Sequence, residues 1–221
     1  MAEKFLTEIQ QTFEKYFQYG ARSSQKVNYF HNYIKGEIDE YLLKNNLSNK
    51  FICSLEVDVN STNSTGKKKC DIVILRTQID SSTGNTTFVP YIVFPVKIIM
   101  TNYKQNKNNS WENLTGELQH LKWANGAALK IIPINVITNK VPYLNAQKKI
   151  TKFEDITYDG DFKIYNELKT HDIADELMNY ILDVEHNCLV TGAYDTCPRF
   201  VSFNSKTEFM GMDDVLRRLL L

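Results

Sequence analysis

Residues 70–77 read CDIVILRT and residues 87–100 read TFVPYIVFPVKIIM. The first stretch is apolar at most positions after Asp71. The second is apolar nearly throughout, apart from Lys97 and two prolines. Runs of this length, rich in β-branched and aromatic residues, predict buried strands. Pro90 and Pro95 each lack a ladder donor, so the second strand is expected to be irregular. Just upstream, FICSLEVDV (51–59) alternates with period two and predicts another strand. The polar NSTNSTGKKK (60–69) and DSSTGN (80–85) separate the three. Three consecutive strands joined by short polar links are the centre of the fold.

Helical signals lie on both sides. Phe5, Ile9, Phe13 and Phe17 recur at four-residue spacing and predict a helix over 3–19. Phe30, Ile34, Ile38, Tyr41 and Leu42 mark a second over 26–44, which NNLSN (45–49) stops. Downstream, TNYKQNKNNS (101–110) reads as a polar, basic loop. WENLTGELQHLKWAN (111–125) reads as a helix with Leu114, Leu118 and Leu121 on one face. IIPINVIT (131–138) is a further buried strand. Residues 153–168 read as a short strand and turns. Residues 171–183 read as a helix built on Ile173, Leu177 and Ile181, and MDDVLRRLLL as a terminal helix. This order predicts an α/β protein, a mixed sheet flanked by helices. It is expected to be one domain over 1–221, with its core at about 26–140 and an acidic remainder at about 151–221.

No run of about 18 apolar residues exists, so no membrane partner is expected. MAEKFLTEIQ at the start lacks the apolar core of a signal peptide, and a cytoplasmic protein is expected. Cys53, Cys70, Cys188 and Cys197 show no C-x-x-C spacing, and His31, His120, His171 and His186 form no zinc-like pattern. The cysteines read as reduced thiols, mostly buried. The 26 basic and 26 acidic side chains cancel. Their distribution does not: residues 1–150 hold 19 Lys and Arg against 12 Asp and Glu, and residues 151–221 hold 7 against 14. The basic portion suits an anionic partner.

The charges Asp71 and Lys97 stand out because each lies in an otherwise apolar strand, where unpaired charge is costly. A carboxylate and a lysine on neighbouring strands can hold a divalent cation and a water. Magnesium favours carboxylate, water and phosphate oxygens. It would polarise a phosphoryl group while the lysine steadies developing charge.

Asp71 in CDIVIL and Lys97 in FPVKII resemble the paired motif residues of the PD-(D/E)xK nuclease superfamily, type II restriction endonucleases included. The resemblance covers about residues 30–137. It implies a restriction-endonuclease-like core, with a helix before three strands, then a helix and a further strand. It also implies Mg2+-dependent hydrolysis of double-stranded DNA by a homodimer, in a bacterium or archaeon. The family's first helix often carries a glutamate, for which Glu37 is the best match and Glu40 the alternative. The chain departs from the motif at Pro95, where the family has an acid two residues before the lysine. Either activity is lost, leaving a DNA-binding or assembly module, or the acid has migrated to the following helix.

That helix offers Glu112 and Glu117. At 100° per residue Glu117 falls roughly 60–70° from the centre of the leucine stripe and Glu112 roughly 150°. Glu117 is therefore the expected ligand, beside a Gly116 that permits close approach to the sheet. The expected metal ligands are Asp71, Glu117 and Glu37, with Asp71, Lys97 and Glu117 catalytic. The expected DNA contacts are Lys67, Lys68 and Lys69, and Tyr103, Lys104, Gln105, Asn106, Lys107, Asn108 and Asn109 of the basic loop. Glu56 and Asp58 share a strand face by alternation and read as solvent-facing or, for one of them, a secondary ligand. His31 reads as a helix-surface residue.

Overall fold

The computed structural model describes residues 2–19, 24–62, 66–79, 82–186 and 199–220. Helices α1 (Ala2–Tyr19) and α2 (Gln25–Lys44) precede the long strands β1 (Phe51–Thr62) and β2 (Gly66–Ile79). Next come β3 (Thr86–Phe94) and β4 (Val96–Ile99), which Pro95 divides. Helix α3 (Tyr103–Asn125) crosses to β5 (Lys130–Ile131) and β6 (Ile134–Thr138). A hairpin of β7 (Lys140–Leu144) and β8 (Ile150–Asp155) follows, then irregular turns and the short α4 (Glu167–Thr170). β9 (Met178–Glu185), β10 (Arg199–Phe203) and α5 (Met212–Leu220) complete the order.

β1, β2 and β3 form an antiparallel meander, and β3 pairs with β5 in parallel. β4 pairs in parallel with β6, β6 in parallel with β9, and β9 antiparallel with β10. The result is a mixed α/β architecture of mixed sheets with flanking helices. Pro90 lies at a register shift between Ile74 and Leu75, so its missing donor falls at a bulge.

Two apolar clusters cover the two faces. On one, Phe5, Ile9 and Phe13 of α1, Phe30, Ile34 and Ile38 of α2 and Val215 and Leu216 of α5 pack on Ile72, Ile74, Phe94 and Tyr180. On the other, Leu114, Leu118 and Leu121 of α3 pack on Val73, Val93, Ile131, Ile137 and Ile181. Burying one such leucine is worth about 2 kcal/mol. No helix among the described residues is long and apolar enough to cross a membrane.

Two expectations are overturned. Residues 103–110 are the first turns of α3, not a loop. The helix starts there because distant residues satisfy one of its first donors and hold its first turn. The Lys104 N–H donates to Glu154 Oε2 at 2.9 Å, and Tyr103 OH donates to Asp161 O at 2.9 Å. Asn102, left-handed at φ 52°, exchanges two hydrogen bonds with Leu144. Residues 171–183 are not a helix but a turn running into β9. Met178, Tyr180 and Leu182 face one cluster and Ile181 the other, so burial on both faces imitates a helical period.

Candidate functional site

β1 and β2 change faces halfway along. Phe51, Cys53 and Leu55 belong to the cluster under α1 and α2, yet Val57 and Val59 belong to the cluster under α3. Strict alternation would put all five on one side. On β2, Ile72 and Ile74 lie on the first side and Cys70 on the second. The reversals meet at one level, because Leu55 pairs with Ile72 and Val57 with Cys70, which sets Glu56 opposite Asp71. Glu56 is left-handed at φ 56°. That conformation costs a non-glycine residue about 1–2 kcal/mol.

The sheet forks at the same level. Ile72 pairs with Phe94, so Asp71 stands opposite Pro95, whose nitrogen cannot donate. Beyond this point β2 pairs with β1 while β4 pairs with β6. Asp71 Oδ2 accepts a hydrogen bond from the Val96 N–H at 2.8 Å and ties the two branches together.

His31 completes the site from α2. Ligand atoms of His31, Glu56 and Asp71 all lie within 4.8 Å of one another, the one such group among the described residues. His31 is 4% exposed, Asp71 half-buried and Glu56 exposed, so the group opens to solvent from a buried base. Burial pushes the His31 imidazole below its ordinary range, and the Asp71 and Glu56 carboxylates pull it partly back. A neutral ring offers a nitrogen lone pair. Carboxylates directly opposed on paired strands repel, and a bound cation relieves that cost. Two carboxylates and one imidazole are a donor set that fits a divalent cation.

Lys97 follows one residue after Val96. It lines an open cleft of about 400 Å³ with Lys26, Thr101, Asn106, Asn109 and Asn113. Lys26 lies over the Tyr16 ring, 5.5 Å from its centroid. Two ammonium groups and three amides give this cleft the chemistry of a phosphate-binding surface.

The other expected residues lie elsewhere. Glu37 is six positions from His31 on α2, about 240° around the helix. It pairs with Lys4 and lines a separate depression with Glu40 and Lys44. Glu117 pairs with Lys68 at 3.2 Å and, with the exposed Glu112, borders a third depression beside His120. A side chain at Gly116 would meet nothing within 4 Å, so no close approach requires that glycine. Tyr103 is 1% exposed and so is withdrawn from any DNA contact. Lys107 is tied to Asp161 at 3.2 Å. Lys104, Gln105, Asn106, Asn108 and Asn109 are exposed on α3, and only Asn106 and Asn109 of these line the Lys97 cleft. Lys67, Lys68 and Lys69 stand exposed near the start of β2, at the end of the β1–β2 ribbon.

Sequence reasoning missed His31 as a partner and set Glu56 aside. Glu56 shows no local signal of its left-handed backbone, and His31 lies on the buried side of α2 beside Phe30 and Ile34. Cys53 and Cys70 are buried free thiols pushed up to about 12 by burial, hence unreactive; Cys188 and Cys197 lie outside the described residues. Comparisons with known protein families, curated proteins and solved structures return no match.

Proposed function

We propose that the chain is a divalent-metal-dependent endonuclease of the restriction-endonuclease-like kind. It hydrolyses phosphodiester bonds of double-stranded DNA, and as a site-specific enzyme it acts as a homodimer. One observation carries the reading: the carboxylates of Glu56 and Asp71 and the His31 imidazole gather where the sheet forks, and Lys97 follows Val96, whose N–H is bonded to Asp71. The helix, three-strand meander, helix and parallel strand around them also support it.

Glu56 here supplies the second acid that Pro95 cannot. It comes from the strand on the other side of Asp71 rather than from α3. A bound cation would be held by His31, Glu56 and Asp71. Mg2+ is the expected ion, although the imidazole nitrogen suits Mn2+ better. When bound, the cation supplies Lewis-acid charge stabilisation and lowers the pKa of its water. Asp71 is oriented for this by the Val96 N–H, which occupies one carboxylate oxygen and leaves the other for the ion. The Lys97 ammonium donates to the phosphate and steadies its growing charge. Hydrolysis adds hydroxide to phosphorus and a proton to the departing 3′ oxygen. Exposed Lys67 and Lys69 and the cleft residues Asn106 and Asn109 contact the DNA backbone.

Supercoiled plasmid incubated with Mn2+ or Mg2+ is nicked and linearised by the wild-type chain, and Asp71→Ala and Lys97→Ala each abolish this. Full activity in either variant overturns the assignment. Buried Pro95 favours a second reading, a DNA-binding module of the same fold without catalysis. Calorimetry that finds DNA binding but no divalent-ion binding selects that reading.

A further inference from the structure

A row of three polar side chains crosses the sheet on the face covered by α3. Lys97 of β4 pairs in register with Asn135 of β6, and Asn135 pairs with Asn179 of β9. Two residues further along each strand, Ile99, Ile137 and Ile181 belong to the apolar cluster of that face. Polar side chains, buried at Asn135 and half-buried at Lys97 and Asn179, are therefore set where apolar ones would pack.

The two amides begin a directed chain. Asn135 Nδ2 donates to Asn179 Oδ1 at 2.7 Å. Asn179 Nδ2 donates to Asn166 Oδ1 at 3.0 Å, and Asn166 Nδ2 donates to the Tyr158 hydroxyl at 2.8 Å. Every donor points away from Lys97, so the chain starts with a carbonyl. That carbonyl, Asn135 Oδ1, has no hydrogen-bond partner, although Asn135 is only 2% exposed. A buried acceptor without a donor is uncommon and calls for one.

The neighbour in register is a donor without an acceptor. Among the described residues the Lys97 ammonium forms no ion pair or hydrogen bond, although Lys97 stands beside Asn135 on the same face. Side chains directly opposed on paired strands are within reach of one another. The four-carbon lysine stem is flexible, and its ammonium is held by no other partner among the described residues.

We propose that Asn135 is the positioning residue for Lys97, its Oδ1 accepting from the ammonium and holding it at the fork. Asn179, Asn166 and Tyr158 hold the carbonyl in that direction. Two of the three lysine hydrogens then remain for a phosphate. The catalytic consequence rests on the nuclease reading above; the contact itself does not.

Two measurements separate the claims. In 15N-lysine-labelled protein at low temperature, a protected ammonium gives a visible Nζ cross-peak, assigned to Lys97 by its absence in Lys97→Arg. The peak is expected in wild type, retained in Asn135→Asp and lost in Asn135→Leu. Absence from wild type, or persistence in Asn135→Leu, overturns the contact, and the first of these needs no Asn135 variant to fold. In cleavage assays, Asn135→Leu lowers kcat about 10–100-fold with KM nearly unchanged, the scale expected of a misplaced catalytic group. Asn135→Asp recovers most of the loss. No loss of kcat in Asn135→Leu, or no recovery in Asn135→Asp, overturns the positioning role. A responsive peak in a protein without cleavage sinks the nuclease reading alone.

Discussion

The Asp71 carboxylate accepts the Val96 N–H at 2.8 Å, across the point where the sheet divides. This bond replaces the ladder bond that Pro95 cannot make, and it fixes one carboxylate oxygen. Structural and chemical roles of Asp71 are thereby separable. Asp71→Asn keeps an acceptor for Val96 and is expected to unfold within about 0.5 kcal/mol of wild type while losing cleavage. Asp71→Ala leaves the N–H unpaired and costs about 1–3 kcal/mol as well. Urea unfolding and plasmid cleavage read the two effects separately.

The second acid is expected to be Glu56. Glu56→Gln lowers cleavage on the order of 100-fold, the scale for removing a group that stabilises transition-state charge. Glu37→Gln leaves cleavage within about twofold, because Glu37 pairs with Lys4 in a separate depression away from the fork. Glu117→Gln, which frees Lys68, behaves like Glu37→Gln. Loss of activity in Glu117→Gln with Glu56→Gln intact restores the migrated-acid arrangement.

Metal selectivity follows from the imidazole. Isothermal titration is expected to give Mn2+ affinity at least about tenfold above that for Mg2+, since nitrogen donors suit the transition ion. His31→Ala narrows that difference, and equal affinities for both ions in wild type remove His31 from the ligand set.

Burial also makes the metal-free protein sensitive to acid. Burial holds His31 and His186 below the ordinary histidine range. An unfolded imidazole binds its proton near pH 6.5, and the folded ones bind theirs at lower pH. Between those values the unfolded chain carries more protons, so stability rises with pH. The stabilisation is complete above about pH 6.5 and is lost as pH falls through the folded values. The urea midpoint should therefore drop from pH 7 to pH 5 less steeply in His31→Gln than in wild type. Identical slopes contradict a buried, neutral His31.

The basic ribbon end predicts a salt signature. Lys67→Ala and Lys69→Ala should each weaken DNA binding across sequences and reduce the slope of log K against log salt by about 1. An unchanged slope removes the β1–β2 ribbon from the DNA path.

The central strands and the flanking helices were legible because their signals are local. Alternation in FICSLEVDV, the apolar runs around Asp71 and Lys97, and the leucine stripe of α3 each depend on a few adjacent residues. Asp71 and Lys97 were legible as charges in apolar strands, and Pro95 as a break. The start of α3 was not legible, because Glu154 and Asp161, some fifty residues later, satisfy or anchor its first turn. β9 was not legible, because a strand buried on both faces has no period of its own. Of the candidate site, the sequence determined its two charges and the break between them. Only the tertiary structure decided their company. A left-handed Glu56 reverses β1 and faces Asp71 across the register, and α2 presents His31 rather than Glu37 to them. Those relations are set by strand register and helix rotation, which depend on how separate segments pack and are written in no single one of them.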